Sequence, residues 1–428
     1  MASEDSPAFS FNFEFSMHIR LFIISSLICI SRLSTGQTGW CNAYDQFITK
    51  DDTLNYDAFL QKVREQELHP LIRNRAEIWY QVVVHIVLPE VSIVISNTQV
   101  IEQIDVLNND FAGKGNNISK LQKEFEPLVT DTGIRFCLAT TDPAGKPTDG
   151  ITYTFTTLPN IGEQHSGQGG RRNVHFDALG GKNGWDPTRY INIWVCEYGD
   201  FLGSAFFPGM APYPEEIGVV IDHRSFGSLG EASAHSFYSG GHTLTHEMGH
   251  FFGLIHIWGN DEHSCTDSDE VEDTPNQDGP YFDCPSGTQM SCGVNNMYQD
   301  FMDLTDDRCL AAFTHGQAER MQASIDAFYP NLGTGNPCHD EVQPFNKWYD
   351  ELIWAFDRNS EQYVIYHPSA FSGNSTIEVF SADGRLVLKD YWNDSQTYLL
   401  KLNLYARGIY FVRISNGKNE KIRKVVTY

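Results

Sequence analysis

Positive charge is scarce in this sequence: 30 Lys and Arg stand against 55 Asp and Glu, a formal charge of -25. A surface of that sign repels phosphate, which argues against nucleic acid and anionic membrane as partners. Long apolar runs are also lacking. The stretch from Met17 to Ser31 is too brief to span a bilayer, and no other stretch is long and apolar enough. Its short cationic start, apolar centre and trailing Ser34, Thr35 and Gly36 read as a secretory signal peptide cleaved near Gly36 or Gln37. The prefix before it is acidic and rich in Ser and Phe, so either Met1 or Met17 is the start. Cys29 has no small residues before it and is assigned to the signal, not to a lipid anchor. Cysteine is not scarce. Nine in a non-repetitive chain indicate disulfides and an oxidising compartment. The expected location is therefore secreted, extracellular or attached to the cell surface, and 428 residues suffice for two or three folded units.

What the chain does have is chemistry concentrated between Gly240 and His256. Within that stretch lies His246-Glu247-x-x-His250-x-x-Gly253-x-x-His256. On a helix, His246 and His250 are four apart and project from one face. Gly253 can adopt the left-handed conformation that ends a helix, bringing His256 round as a third ligand. Three neutral imidazoles hold Zn²⁺ and leave a fourth position for water, the pattern of a catalytic site and not of a structural one. Glu247 lies beside a ligand without being one, which suits a general base that later passes its proton to a leaving amine. Scattered surface histidines could produce His-Glu-x-x-His by chance, but not readily the glycine and third histidine at these offsets as well.

Around this motif the chain divides into five parts. Residues 1–36 are the extension and signal. Residues 37–77 are polar and helical in tendency, clearest at Asp57 to Arg64, and end in a basic stretch at Leu71 to Ala76 suited to nicking; they read as a propeptide. Residues 78–332 carry strands at Ile78–Leu88, Gly133–Ala139, Ile151–Phe155, Tyr190–Cys196 and Gly218–Asp222, and a helical stripe from Thr98 to Phe111. Strand, helix, strands and a metal-bearing helix predict an α/β domain with a twisted, mostly parallel sheet. After His256 the chain becomes loop-rich, with Cys265, Cys284, Cys292 and Cys309 to staple it. The oxygen-rich loop Asp267–Pro275 offers the hard ligands that Ca²⁺ takes. Thr314 and Gln317 form a capping box ahead of a helix. Residues 333–360 read as a linker, and 361–428 as a small all-β sandwich with hairpins at Ala382–Arg385 and Asn416-Gly417 and a basic last strand.

The zinc motif, the stretch Asp300 to Met321, Ile191–Cys196, Phe207-Pro-Gly209 and Asp273–Pro275 together resemble the pappalysin family of metzincin metalloendopeptidases, especially its bacterial cytophagalysin-like members. The resemblance covers roughly residues 78–330. It implies a secreted, two-lobed zinc endopeptidase with protein or peptide substrates lying extended along an upper-rim strand. It also implies a Met-turn at Met302, calcium ligands at Asp269, Thr274 and the Glu272 carbonyl, and disulfides Cys265–Cys292 and Cys284–Cys309. A further bridge, Cys137–Cys196, is expected between neighbouring strands. Two positions depart from the family. Leu304 stands where a tyrosine steadies the tetrahedral intermediate, and Arg308 follows the acids Asp306 and Asp307 that the family ties to basic P1′ residues. In the last module, Asp383-Gly-Arg385, Gly408-x-Tyr410 and the lysine-bearing final strand resemble the C-terminal sorting domain of type IX secretion, with Tyr366-His-Pro368 replacing the usual Tyr-Pro-Asn-Pro opening.

Two questions stay open at this level. Leu304 keeps a second function in view, a secreted binding or adhesion protein on an impaired metzincin scaffold, against which the intact Glu247 and three histidines weigh. Cys41 and Cys338 remain after the three bridges. Either they pair with each other, or Cys41 supplies a thiolate to the open zinc position and keeps the precursor silent.

Overall fold

The sheet is built outward from one strand, β1 (Ile78–Leu88), whose residues are nearly all buried because neighbours cover both its faces. That is why it reads as a continuous apolar run with no alternation. The computed structural model describes residues 50–68, 77–89, 95–165, 171–235, 237–260, 263–334, 338 and, with interruptions, 352–427. The signal peptide, Cys41 and the basic stretch at 71–76 lie outside these residues.

On one side β1 pairs in parallel with β2 (Ile134–Leu138) through its first half and β3 (Ile151–Phe155) through its second. On the other it pairs in parallel with β4 (Ile191–Cys196). The sheet ends in β5 (Gly203–Ala205), which runs antiparallel to β6 (Val219–Asp222), itself parallel to β4. Among the described residues four helices accompany it: α1 (Lys50–Leu68), α2 (Asn97–Phe111), α3 (His242–Phe251) and α4 (His315–Phe328). Helix α2 starts at Ser96, whose hydroxyl accepts from Gln99 N at 3.1 Å, and buries Val100, Ile104, Leu107 and Phe111 at the expected spacing. They join Val82, Val84, Ile193, Leu244 and Met248 in one core, so α3 rests directly on the parallel sheet. The sequence-predicted mostly parallel α/β domain is present.

The loop-rich region after α3 holds a small hairpin, β7 (Met290–Ser291) with β8 (Val294–Asn295). Beyond α4 come β9 (Ile353–Asp357), β10 (Gln362–Tyr366), β11 (Ser375–Ser381), β12 (Leu386–Trp392), β13 (Thr397–Leu400), β14 (Gly408–Ser415) and β15 (Glu420–Thr427). One layer is β13-β10-β9, continued through β9 onto β3; the other is β12-β11-β14-β15. Trp354, Ile365, Ile377, Val379, Trp392 and Val412 fill the space between them, as in a two-sheet sandwich. Strand β9 falls inside the stretch read as a linker. Five residues are too few for a period to show against their surroundings.

The structure joins Cys265 to Cys292 and Cys284 to Cys309. The expected Cys137–Cys196 bridge is not formed: Cys137 pairs with Cys338, and Cys196 is a buried free thiol. Register explains the correction. Cys137 lies opposite Gln81 and Cys196 opposite Val87, on opposite sides of β1. Six positions along a strand amount to about 20 Å, far beyond the reach of a disulfide. Cys338, the first described residue after α4's exit turn, is 5.9 Å from Cys137 between Cα atoms. This pairing also removes Cys338 as a partner for Cys41.

Peptide mapping without reduction should recover a Cys137–Cys338 dipeptide and leave Cys196 unalkylated until the protein is denatured. The bridge spans 201 residues of sequence, for which the chain-entropy model gives about 5 kcal/mol. Cys338→Ser should therefore lower the unfolding temperature markedly, whereas a Cys137–Cys196 dipeptide would contradict the register.

Candidate active site

Every residue of α3 is buried, and the helix is stopped after ten residues by a turn that does three things. Gly253 has φ of +91°, and its N–H donates to His250 O at 2.9 Å while Leu254 N–H donates to Gly249 O at 2.9 Å. These two bonds define a Schellman cap. The turn reverses the chain and brings in His256. Its Leu254 carbonyl then accepts from His250 Nδ1 at 2.8 Å. On the other side, Phe301 O accepts from His246 Nδ1 at 2.7 Å. Met302, the next residue, is fully buried beneath α3, where any side chain at Gly249 would collide with its sulfur. His256 stacks on Trp258, ring centroids 4.3 Å apart at 11°.

With Nδ1 of His246 and His250 committed as donors, both Nε2 atoms carry lone pairs. They face each other at 3.0 Å, and one nitrogen of each of the three rings lies within 4.8 Å of the others. Converging lone pairs repel unless a cation lies between them. Tetrahedral zinc with nitrogen ligands needs N···N separations of about 3.4 Å, so the donor set fits that ion. Burial pushes the His246 ring down to about 4 and drives His250 and His256 well below the usual imidazole range. All three are thus neutral at physiological pH, the form that binds metal.

Glu247 is fully buried beside this cluster. Strand β5 passes so close that a Cβ at Gly203 would lie 2.6 Å from Glu247 Cγ. Only glycine fits there. Behind β5, Arg172 donates to Ser204 Oγ at 2.8 Å and to Tyr198 Oη at 2.9 Å, fixing the strand from its inner side. Neither β5 nor Arg172 is legible in the sequence, because Gly-Ser-Ala has no strand propensity and a lone buried arginine has no signature.

Residues 181–326 match the family model described as "Pregnancy-associated plasma protein-A". An extracellular metalloprotease of Arthroderma gypseum is 30% identical over 239 residues, which cover 54% of this chain and 73% of that protein. A promirolysin variant of Tannerella forsythia superposes with a TM-score of 0.59 at 38% identity, covering 68% of this chain and 95% of that one. Mature mirolysin of the same organism, in complex with a cleaved peptide, gives 0.52 at 41% identity over 59% and 97% of the two chains. The chain belongs to the pappalysin family. It is a secreted zinc metalloendopeptidase, and residues 360–428 match the model "Secretion system C-terminal sorting domain". Among the described residues no helix is long and apolar enough to cross a membrane.

This pappalysin keeps its two departures in informative places. Leu304 is half-buried against the cluster of Ile257, Trp258, Met297 and Phe125. Tyr298, the neighbouring tyrosine, donates its hydroxyl to Gly287 O at 3.3 Å. Asp306 is buried and paired with the exposed Arg308 at 2.8 Å. Asp307 accepts from Gly240 N at 2.8 Å and His242 N at 3.2 Å, holding the start of α3. In the acidic loop, Thr274 donates to Asp269 at 2.7 Å, and Val271 O lies 2.9 Å from the same hydroxyl. Asp269 and Thr274 are thus brought together, while Glu272 is exposed. Burial lifts the Asp269 carboxyl to about 7 despite the Thr274 bond.

The start of α3 also holds a buried ion pair. His242 Nδ1 lies 2.7 Å from Asp110 Oδ2, which also accepts from Thr245 at 2.6 Å. Burial alone pulls the His242 ring down, but the charge and hydrogen bond of Asp110 outweigh it and lift the ring to about 9, with Asp307 adding and Lys120 opposing. An unfolded histidine titrates near about 6.5. Because the folded value is the higher, this stabilisation is complete below about pH 6.5 and is lost as pH rises through about 9. The melting temperature should fall across that window in the wild type. In His242→Gln it should start lower and change less, and an unchanged slope would assign the pH dependence to other groups.

Proposed function

We propose that His246, His250 and His256 are the zinc ligands, that Glu247 is the general base, and that the substrate is an extended peptide seated antiparallel on the outer edge of β5. The observation that carries this is the pair of Nε2 atoms converging at 3.0 Å beside the buried Glu247. Zinc bound there supplies Lewis acidity toward the scissile carbonyl and the attacking water. Glu247 takes the proton that water sheds on attack and delivers it to the leaving amine nitrogen. Its carboxylate is walled by β5, so the strand that orients the substrate also fixes the base. A peptide added to an open strand edge gains main-chain hydrogen bonds without demanding particular side chains. The paired Asp306 and Arg308 support a weaker preference for basic P1′ residues than an unpaired acid would give.

The alternative, a binding protein with impaired turnover, rests on Leu304. A missing oxyanion donor lowers kcat by about 100-fold or more, which slows a protease without converting it into an adhesin. We further propose that Asp269, Thr274 and the Glu272 carbonyl hold a structural Ca²⁺, since a cation would offset the burial of Asp269. The domain reading places a removable propeptide at 37–77, the catalytic domain at 78–332 and a sorting module at 361–428 that engages the type IX secretion machinery. Latency is assigned to Cys41 as a thiolate ligand, a reading supported by the engagement of Cys338 elsewhere.

Glu247→Ala should retain zinc by elemental analysis yet lose peptide cleavage by several orders of magnitude, while His250→Ala should lose the metal. A folded Glu247→Ala protein with near-wild-type turnover would end this mechanism. Cys41→Ala should give a precursor that cleaves peptide without processing. If that precursor stays inactive until cut near Arg73 to Arg75, the propeptide blocks the site by another contact.

A further inference from the structure

Helix α1 buries an apolar face outside the layers of the sheet. Tyr56, Phe59, Leu60 and Val63 recur at i, i+3, i+4 and i+7, and none is more than 8% exposed. They sit in a groove of Phe207, Met210, Ile255, Ala323 and Phe328. The Phe59 ring lies 5.4 Å from Phe328 and 6.1 Å from Phe207. Further along, Glu67 accepts from the buried Arg320 at 2.7 Å, Arg64 pairs with Glu270, and Lys62 Nζ lies 3.9 Å over the Phe328 ring. Arg320 also donates to Glu270 O at 2.6 Å.

These contacts touch the metal cluster at one remove. Phe207 is 5.5 Å from the His250 ring, and Phe59 Cζ would be 2.7 Å from a Cβ at Gly253. The helix therefore grips the outside of the turn that delivers His256. None of the contacts depends on the peptide link from α1 to β1.

We propose that α1 is a non-covalent anchor: once the chain is cut between Leu68 and Glu77, the N-terminal fragment stays docked in the groove of Phe207, Ile255, Ala323 and Phe328 as a bound subunit. This rests on residues 37–77 being a removable propeptide. Cutting a covalent tether converts an intramolecular contact into a bimolecular one, which lowers occupancy only when the contact is weak. Four large buried apolar side chains and an ion pair from the exposed Glu67 to the buried Arg320, on a preformed groove, give a Kd on the order of micromolar or tighter. Release therefore requires cleavage within α1 itself, where Tyr56 to Val63 would be divided, and not merely in the basic stretch that follows it.

The test places a site-specific protease sequence between Leu68 and Glu77 of the full chain. The folded protein is cut, and the products are followed by size exclusion with mass spectrometry at micromolar concentration. The fragment should co-elute with the core. Phe59→Ala should weaken retention on the order of 100-fold, and the milder Glu67→Gln should weaken it measurably if Phe59→Ala fails to fold. Gln61→Ala, on the exposed face, should leave it unchanged. Complete separation of the wild-type fragment at that concentration would overturn the anchor, as would equal retention in wild type, Phe59→Ala and Glu67→Gln. Peptidase activity measured in parallel tests the propeptide reading separately: a retained fragment with full activity supports the anchor and counts against latency through Cys41.

Discussion

The site depends on the helix stopping at Gly253. A left-handed residue there forces the chain to reverse within one turn, and an L side chain would meet Ser324 Oγ at 2.6 Å as well as the strain of its backbone angle. Had α3 continued, Leu254 O would point along the helix axis and not at His250 Nδ1, and His256 would be carried away from its partners. One backbone conformation thus sets the tautomer of the second histidine and the position of the third. Two of the rings, His246 and His250, are thus aligned by main-chain carbonyls that accept from their Nδ1 atoms.

The floor under α3 is held from a different direction. Asp300 accepts from Met302 N at 2.8 Å and from Gln317 Nε2 at 2.9 Å. The same Gln317 accepts from Thr314 N at 2.9 Å to close the capping box of α4. One amide therefore ties the start of α4 to the turn that carries Met302 and Phe301, whose carbonyl orients His246. Burial lifts Asp300 well above, and Asp303 to about 7 from, the usual carboxylate range. Buried acids of this kind are stable only while their hydrogen bonds are kept, so the region after His256 is specified by polar connection more than by apolar burial.

That difference explains what could be read in the sequence and what could not. Strand β1, helix α2 and the capping box have local signals, a run, a stripe and a spacing, and the structure places them within a residue or two of expectation. The three histidines were legible because helix geometry fixes four-residue spacing and glycine marks the reversal. Long-range pairings have no such signal. No local signal marks Cys137 as facing Cys338 across 201 residues, and the expected Cys137–Cys196 bridge is ruled out because β2 and β4 lie on opposite sides of β1. Strand β5 is invisible for a different reason: its first residue, Gly203, is required by closeness to Glu247, and not by propensity.

Leu304 gains a physical meaning from this arrangement. It packs against the cluster containing Trp258, on whose ring His256 stacks. A tyrosine at the same place would bring a hydroxyl, a group that needs a polar outlet when buried. Leucine instead adds apolar contact on the side that supports the third ligand's stacking partner. Residue 304 therefore bears, through side-chain packing, on the ring that His256 stacks against. The other two histidines, His246 and His250, are oriented elsewhere, by Phe301 O, Leu254 O and the Gly253 turn, none of which involves residue 304. Packing at residue 304 and the orientation of His246 and His250 are thus controlled by separate parts of the chain.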